Sequence, residues 1–161
     1  MTIRHATIED LESISLVETS SFNPFEAAKK EEIAARLRLN GDYFWLLDDS
    51  GAVLSFIHGF PTNAEHLTDD MFHTADQYDT NGAWLMLLSV ATLPQHRSKG
   101  YARQVMRQVI SDSREAGREG IVLTCKERLI PFYSRFGFQN EGKSVSTHGG
   151  AVWYQMRLLI R

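Results

Sequence analysis

The sequence has little of several features that define whole classes of proteins. Cys125 is the single cysteine in 161 residues, so the chain can form no internal disulfide. A lone cysteine is typical of a reducing compartment. No apolar run approaches the roughly 20 residues that span a bilayer, and the opening residues, MTIRHATIED, do not have the pattern of a signal peptide. We therefore expect a cytoplasmic protein without a membrane partner.

Positive charge is missing from a long central stretch. Residues 39–96 contain no Lys or Arg and eight acids, whereas residues 97–161 contain twelve basic and five acidic residues. The formal net charge of −3 conceals this division. Such a split suggests one partner of each sign rather than a nucleic acid, because no continuous basic stripe is present. No His/Cys spacing suggests a metal site either.

Length and composition predict one compact domain over residues 1–161. Hydrophobic residues make up 43% and charged residues 23% of the chain. These values are close to the globular average, so they exclude disordered and fibrous architectures.

The first half of the chain alternates between helical and strand patterns. A short strand at residues 3–6 precedes a helix that begins at Thr7 and runs to about Ser20. The run Asn23-Pro24-Phe25-Glu26 is typical of a second helix start, and that helix ends at Asn40-Gly41. Residues 43–47 and 52–58 form a predicted hairpin. Residues 59–82 are polar, acidic and irregular, and a loop of that length is usually functional or mobile.

The second half begins with a nearly continuous apolar strand, residues 84–92. An amphipathic helix follows from Gly100 to Gly117. A short strand at 121–124, a short helix at 129–136 and an alternating strand at 152–160 complete the pattern. We predict an α/β (α+β) fold in which helices flank a mixed central sheet.

The loop after the long strand is a candidate anion site. Residues 97–102, RSKGYA, carry two basic residues and a glycine directly before a helix. A helix N-terminus presents unpaired N–H groups and a partial positive charge. The loop lacks the GK[ST] ending of a Walker motif and two of the three glycines of a Rossmann motif. Taken alone, it is equally compatible with an ordinary strand-to-helix turn whose basic residues are solvated.

A second motif, residues 131–138 (PFYSRFGF), adds to the first. Together the two motifs resemble the GNAT superfamily of acetyl-CoA-dependent N-acetyltransferases. The segment RSKGYA matches that family's Q/R-x-x-G-x-G/A loop. Residues 121–125 together with 131–138 look like the arylalkylamine N-acetyltransferase branch. The resemblance implies a GNAT-type domain with a splayed central strand, and GNAT domains often dimerise, so a homodimer is possible.

The resemblance also implies how acetyl-CoA is held and how its thiolate leaves. The pantetheine arm would pair with backbone groups of the central strand, and the pyrophosphate would lie on the amides of the loop and the helix start. Tyr133 matches the tyrosine that donates a proton to the departing CoA thiolate, although its pattern also fits a core aromatic residue. The cofactor-binding residues implied in this way are Val90, Ala91, Thr92, Arg97, Ser98, Lys99, Gly100, Tyr101, Ala102 and Arg103.

The general base is where the sequence departs from the arylalkylamine pattern. Met86 and Leu88 stand at the positions of that branch's two strand histidines, so that route for proton removal is absent. His58 is one substitute, although a lone histidine is more often a surface or core residue. The others are His66, His73, His148 and His96. A water chain held by backbone carbonyls and an acid is the default. Cys125 is expected to be packed rather than nucleophilic.

The acceptor is expected to be a small primary amine, such as an arylalkylamine or a polyamine. By the resemblance, it would contact the joint between the first two helices. There Phe22 and Phe25 form an aromatic floor or simply pack in the core, and His58 is a further candidate contact. Residues 61–82 could attract a cation, or be a solvated loop. Two other functions fit the sequence: an N-acetyltransferase for peptide or protein amines, and a non-enzymatic acyl-CoA-binding module.

Overall fold

The computed structural model describes residues 1–160. The helices are α1 (Leu11–Ser21), α2 (Lys30–Asn40), α3 (Tyr101–Glu115) and α4 (Ile130–Ser134). The strands are β1 (Thr2–His5), β2 (Phe44–Asp49), β3 (Ala52–Thr62), β4 (Trp84–Thr92), β5 (Gly120–Cys125), β6 (Gln139–Lys143) and β7 (Tyr154–Leu159). Among the described residues, no helix is long and apolar enough to cross a membrane.

The seven strands form one mixed sheet in the order β1-β2-β3-β4-β5-β7-β6. Strand β4 pairs with β5 in parallel, while β1 with β2, β2 with β3, β5 with β7 and β6 with β7 are antiparallel. The mixed sheet with flanking helices confirms the predicted fold class.

The parallel pairing of β4 with β5 is short. It joins Trp84 to Gly120, Leu85 to Ile121 and Met86 to Val122, and it includes no residue of β4 after Met86. Strand β4 nevertheless continues to Thr92. The end of this pairing midway along β4 agrees with the prediction of a central strand that separates from its parallel neighbour.

The chain divides into two compact units, each with its own core. Unit 1 contains Met1–Gly59 and Ser89–Val109, and unit 2 contains Phe60–Leu88 and the chain from Ile110 onward. In unit 1, α1 and α2 pack their apolar side chains against the sheet; the buried members include Ile14, Val17, Ile33, Leu37, Phe44, Phe56 and Ala91. In unit 2, the core includes Phe60, Leu67, Met71, Met86 and Val122.

The predicted second helix start at Asn23 is wrong. The side chain of Asn23 does accept hydrogen bonds from the amides of Phe25 and Glu26, at 2.9 and 3.1 Å. The result is a single turn, and α2 begins only at Lys30, where the Glu32 carboxylate accepts from the Lys29 amide at 3.1 Å. The cap chemistry was therefore correctly recognised but belongs to an isolated turn.

The segment after the predicted hairpin is more ordered than its polarity indicates. Strand β3 extends to Thr62, and a 3₁₀ turn covers Asp69–Phe72. Leu67 and Met71 from this segment lie in the core of unit 2, 2% and 1% exposed. The segment is therefore anchored by apolar side chains, and the prediction that residues 59–82 are irregular holds only in part.

Candidate active site

The loop between β4 and α3 has a backbone that only a few residue types adopt easily. A 3₁₀ turn at Pro94–His96 ends β4, and Ser98 and Gly100 then take positive φ values of 64° and 80°. A Cβ atom built on Gly100 meets no atom within 4 Å, so the space beside this glycine is open. Alternating backbone conformations of this kind turn successive N–H groups toward one concavity, which suits an anion.

The amides that lead into α3 have no acceptor in the part of the chain that the structure describes. Within residues 1–160, the N–H groups from Ser98 to Arg103 donate no hydrogen bond, and the first N–H bond of the helix runs from Gln104 to the Gly100 carbonyl, at 3.1 Å. The side chains of Arg97, Lys99 and Arg103 are exposed. Six unpaired donors at the positive end of a 15-residue helix form a place at which an anion can be held.

The body of α3 fixes this loop in place. Val105, Met106 and Val109 are each 0% exposed. Their spacing of one and four residues places them on one face of the helix. Because that face is packed, the exposed first turn is held on a rigid element rather than on a mobile loop.

The end of β4 is held by hydroxyl groups. Ser55 Oγ donates to the Ala91 carbonyl at 2.9 Å and also contacts Thr92 Oγ1 at 2.9 Å. Ser21 Oγ donates to the Thr92 carbonyl at 3.1 Å. The end of β4 is thus fixed by side chains of α1 and β3.

Tyr133 lies in the short helix α4 of unit 2, two residues after Pro131. It is 6% exposed and packs edge-to-face against Phe132 and Phe138, with ring centroids 5.0 and 5.9 Å away. Within residues 1–160 its hydroxyl makes no hydrogen bond. Burial, together with nearby Cys125, raises the pKa of this phenol well above its ordinary value. The group therefore stays protonated and can donate to a ligand.

Cys125 is a packed thiol, as expected. It is 2% exposed, and its Sγ lies 3.6 Å from Met156 Sδ. Burial raises the pKa of the thiol to about 11. Because the thiolate is the nucleophile, this environment opposes nucleophilic chemistry at Cys125.

His58 is placed as a buried, neutral imidazole. It is 7% exposed and stacks on Phe44, with ring centroids 3.8 Å apart and nearly parallel planes. Burial, followed by the positive charge of Arg36, lowers the pKa of His58 well below its ordinary value. A base with a depressed pKa has little drive to take a proton from an alkylammonium ion, so this geometry weakens the hypothesis that His58 is the base.

The two phenylalanines predicted at the acceptor side have different environments. Phe22 is half-buried and packs against the core of unit 1. Phe25 is 83% exposed in the turn after α1. The two therefore do not share one environment, and Phe25 is much the more exposed of the two.

Comparison with known proteins gives the family. Residues 8–138 match the model of the acetyltransferase (GNAT) family, and both sequence motifs lie within this range. The chain belongs to the GNAT family.

Individual relatives of this GNAT chain are distant. It is 28% identical over 113 residues to the serotonin N-acetyltransferase of Mesocricetus auratus, a match that covers 70% of the chain and 54% of that relative. The match thus spans about half the length of the relative. The arylalkylamine branch stays a prediction, since this identity is too low to assign it.

Solved GNAT-type structures share the whole fold. The GNAT-like decarboxylase GphF, in complex with isobutyryl-CoA, matches with a TM-score of 0.84 at 18% identity, over 100% of both chains. The yncA protein of Salmonella typhimurium, solved with its cofactor acetyl-CoA, matches with a TM-score of 0.72 at 18% identity, over 100% of this chain and 94% of that one. At these identities the likeness establishes the fold alone.

The remaining histidines of the GNAT chain have local partners. His66 Nδ1 lies 2.9 Å from Gln155 Nε2. His148 stacks on Phe72 at 4.7 Å and lies 6.4 Å from His73. His96 is next to the loop of residues 97–102, with its Nδ1 3.5 Å from Lys99 Nζ. Within residues 1–160, no group of three or more His, Cys, Asp or Glu side chains is arranged to hold a metal ion.

Several acids of the 61–82 segment are engaged in local hydrogen bonds. Asp69 accepts from the Ser146 hydroxyl and, at 3.1 Å, from the Thr147 amide. Asp79 accepts from the Asn63 side chain at 2.8 Å and from the Asn81 amide at 2.9 Å. These carboxylates hold the segment itself together. That the segment also attracts a cationic substrate stays a prediction.

The GNAT chain also contains a buried carboxylate that the sequence analysis missed. Glu18 in α1 is 2% exposed and accepts a hydrogen bond from the Ser89 hydroxyl of β4 at 3.0 Å. A signal was present: Glu18 is four residues after Ile14 and one after Val17, on the apolar face of the helix. An acid on such a face requires a polar partner.

Proposed function

We propose that the chain is an acetyl-CoA-dependent N-acetyltransferase that acts on a small primary amine. The observation that carries the proposal is the row of six amides, from Ser98 to Arg103, without an acceptor in residues 1–160. An open space beside Gly100 and the exposed Arg97 and Lys99 accompany these donors. Family membership supports acyl-CoA as the ligand of this seat.

The cofactor's diphosphate would be held by the loop and the start of α3. Amide donors would contact the phosphate oxygens, while Arg97, Lys99 and Arg103 would supply positive charge. The pantetheine arm would pair with backbone groups of Val90, Ala91 and Thr92. When bound, acetyl-CoA supplies the activated acetyl group as a thioester. The protein binds and orients this group and moves protons around it.

Two proton movements must accompany acetyl transfer. An alkylamine with a pKa near 10.4 is neutral in only about 1 part in 2500 at pH 7, a deficit of roughly 4.6 kcal/mol. The leaving thiolate must also be protonated. We assign Tyr133 to this second step. The difference between phenol and thiol pKa values is worth only about 2 kcal/mol in water. Burial raises the pKa of Tyr133, which adds to that difference unless the CoA thiolate is desolvated as well.

The assignment of Tyr133 is favoured by its free donor. Buried phenols usually have a hydrogen-bond partner. Tyr133 has none within residues 1–160. In that range Ser15 Oγ is the one polar side-chain atom that is both fully enclosed and without a partner, so the Tyr133 hydroxyl is not fully enclosed. A phenol in this state is available to a bound thioester.

A panel assay tests the proposed function. Release of CoA thiol from acetyl-CoA is measured with polyamines, arylalkylamines, amino acids and N-terminal peptides, alongside acetyl-CoA affinity by calorimetry. We expect turnover with at least one small primary amine and a higher kcat/KM for it than for any peptide. Preference for peptides would support the protein N-acetyltransferase instead. Tight acetyl-CoA binding without turnover would make the chain an acyl-CoA-binding module.

A further inference from the structure

The buried carboxylate of Glu18 connects α1 to the central strand. Its Oε2 accepts from the Ala28 amide at 2.8 Å, and its Oε1 accepts from the Ser89 hydroxyl at 3.0 Å. All three residues belong to unit 1. A carboxylate that is 2% exposed is costly to bury and is kept only when polar groups compensate it. Glu18 is therefore a group with a defined geometry rather than a surface acid.

Ser89 links this carboxylate to the part of β4 at which the proposed function places the pantetheine arm. It directly precedes Val90, the first of the three residues assigned to the pantetheine arm, and is 9% exposed. Side chains alternate along a strand, so Ser89 and Ala91 share one face. Ala91 packs among residues of α1 and α2, including Ile14 and Ile33. The hydroxyl thus lies on the face of β4 that these helices cover.

We propose that Ser89 and Glu18 form a proton relay that receives the proton of the acceptor amine. This inference rests on the proposed function. The acceptor arrives as an alkylammonium ion, whose nitrogen has no lone pair. One of its protons passes to Ser89 Oγ while the Ser89 hydroxyl proton passes to Glu18 Oε1, so Glu18 becomes a neutral carboxylic acid and the amine becomes neutral. The amine nitrogen then bonds to the acetyl carbon, the carbon–sulfur bond breaks, and the CoA sulfur takes a proton from Tyr133. The second proton that the nitrogen loses restores the Tyr133 hydroxyl, and Glu18 releases its proton to solvent before the next cycle.

The relay supplies a proton acceptor that β4 and His58 do not provide. Met86 and Leu88 are apolar, and His58 has a pKa depressed by burial and by Arg36. Glu18 is a carboxylate, and neutralising it relieves the cost of a buried charge. Ser89 already donates its proton to Glu18, so the hydroxyl oxygen has lone pairs available to a second donor.

The competing explanation is purely structural, because Glu18 also accepts from the Ala28 amide in the segment between α1 and α2. The variant Glu18→Gln separates the two explanations. A glutamine oxygen can still accept from Ala28, and its NH₂ group can donate to Ser89, but it cannot accept the relayed proton at neutral pH. Ser89→Ala removes the relay atom and leaves the carboxylate. The matched control is Glu12→Gln in the same helix, whose carboxylate pairs with Lys30 at the surface.

The experiment measures kcat and KM with two amines and the affinity for acetyl-CoA. One amine is the best alkylamine of the panel, which is protonated at pH 7; the other is trifluoroethylamine, which is already neutral there. For the alkylamine we expect kcat/KM to fall about 100-fold in Glu18→Gln and about tenfold in Ser89→Ala, within the range of general base catalysis. With trifluoroethylamine both losses should shrink to less than about fivefold, and Glu12→Gln should match the wild type throughout.

The outcomes distinguish failure of the relay from failure of the proposed function. A wild type without turnover of any amine would overturn both. An active wild type whose Glu18→Gln and Ser89→Ala variants lose the same factor with both amines, together with acetyl-CoA affinity, would show a structural role and overturn the relay alone. If Glu18→Gln does not fold, the dependence of Ser89→Ala on amine basicity decides the question.

Discussion

The ring and the hydroxyl of Tyr133 have different environments, and this difference distinguishes a catalytic role from a packing role. Its ring is enclosed by Phe132 and Phe138, so the aromatic surface stabilises unit 2. Its hydroxyl, in contrast, forms no hydrogen bond within residues 1–160. Removing a buried hydroxyl without a partner leaves no donor or acceptor unsatisfied, and its effect on stability is small or favourable.

We therefore expect Tyr133→Phe to lower activity without lowering stability. The ring contacts remain, so Tm should be unchanged or slightly raised. kcat should fall about 100-fold, because the thiolate loses its proton donor, while the acetyl-CoA Kd stays within about twofold. Steady-state kinetics, calorimetry and a thermal melt measure the three quantities.

Tyr154→Phe, a half-buried tyrosine in β7, is the control for this prediction and should retain full activity. A Tyr133→Phe enzyme with undiminished kcat would contradict the assignment. The residue would then be a core aromatic, as its neighbours alone suggest.

A sequence motif names Tyr133 and the loop residues as candidates, whereas no motif names Glu18. Its position on the apolar face of α1 is visible in the sequence, but its partners, Ala28 and Ser89, are 10 and 71 residues away. A hydrogen bond between such distant positions follows from the tertiary fold, which local periodicity does not encode.

At the scale of elements, the turn into α3 depends on one glycine. Gly100 has a φ of 80° and open space beside its missing Cβ. A left-handed conformation costs a residue with a Cβ roughly 1–2 kcal/mol. The added methyl group would also occupy the space in which we propose that the diphosphate lies.

Gly100→Ala should therefore weaken cofactor binding more than it weakens the fold. We expect the acetyl-CoA Kd to rise at least about tenfold and Tm to fall by about 2–6 °C. Gly51→Ala is the matched control: Gly51 is in the β2–β3 turn of the same unit, with a φ of 94° and also nothing within 4 Å of its added Cβ. It should lower Tm similarly and leave the Kd unchanged. Equal Kd values in the two variants would contradict a phosphate seat at Gly100.

Elements were predictable where their residues had a strong apolar period. Strand β4 and the main part of α3 fall where the sequence analysis placed them, because their buried side chains repeat regularly. Strand β6 was missed because its sequence, QNEGK, is polar and almost fully exposed. Such a strand exists through its backbone pairing with β7, which no hydropathy pattern reveals.

At the scale of the whole molecule, the chain carries a net charge of −3 and is proposed to bind a polyanion. The two statements are compatible because charges act over short distances in salt, about 10 Å at 0.1 M. Arg97, Lys99 and Arg103 are exposed within one loop and its helix start. Acids farther away than this distance are screened, so the local positive charge decides the binding of the phosphates.

Two carboxylates of the segment without Lys and Arg have pKa values below the ordinary range. Hydrogen bonds from Thr68 and Gln77 lower the pKa of Asp70, and Arg4 and the Gly51 amide lower that of Asp48. These carboxylates therefore remain ionised below their ordinary pKa values. Lowering the pH from 8 to 6 should not change their charge, so salt rather than pH is the variable that tests the electrostatic argument.

We expect acetyl-CoA binding to weaken with salt in proportion to the positive charge of the loop. Raising NaCl from 50 to 500 mM shortens the screening distance about threefold, and we expect the Kd to rise by about three- to tenfold. Lys99→Gln removes one of the three loop charges, so it should raise the Kd at low salt and reduce the salt dependence. Lys143→Gln, an exposed change in β6 of unit 2, should alter neither. Calorimetry at the two salt concentrations measures both effects. If Lys99→Gln and Lys143→Gln reduced the salt dependence equally, the overall charge of the chain would govern binding, and the loop could not be the specific seat of the phosphates.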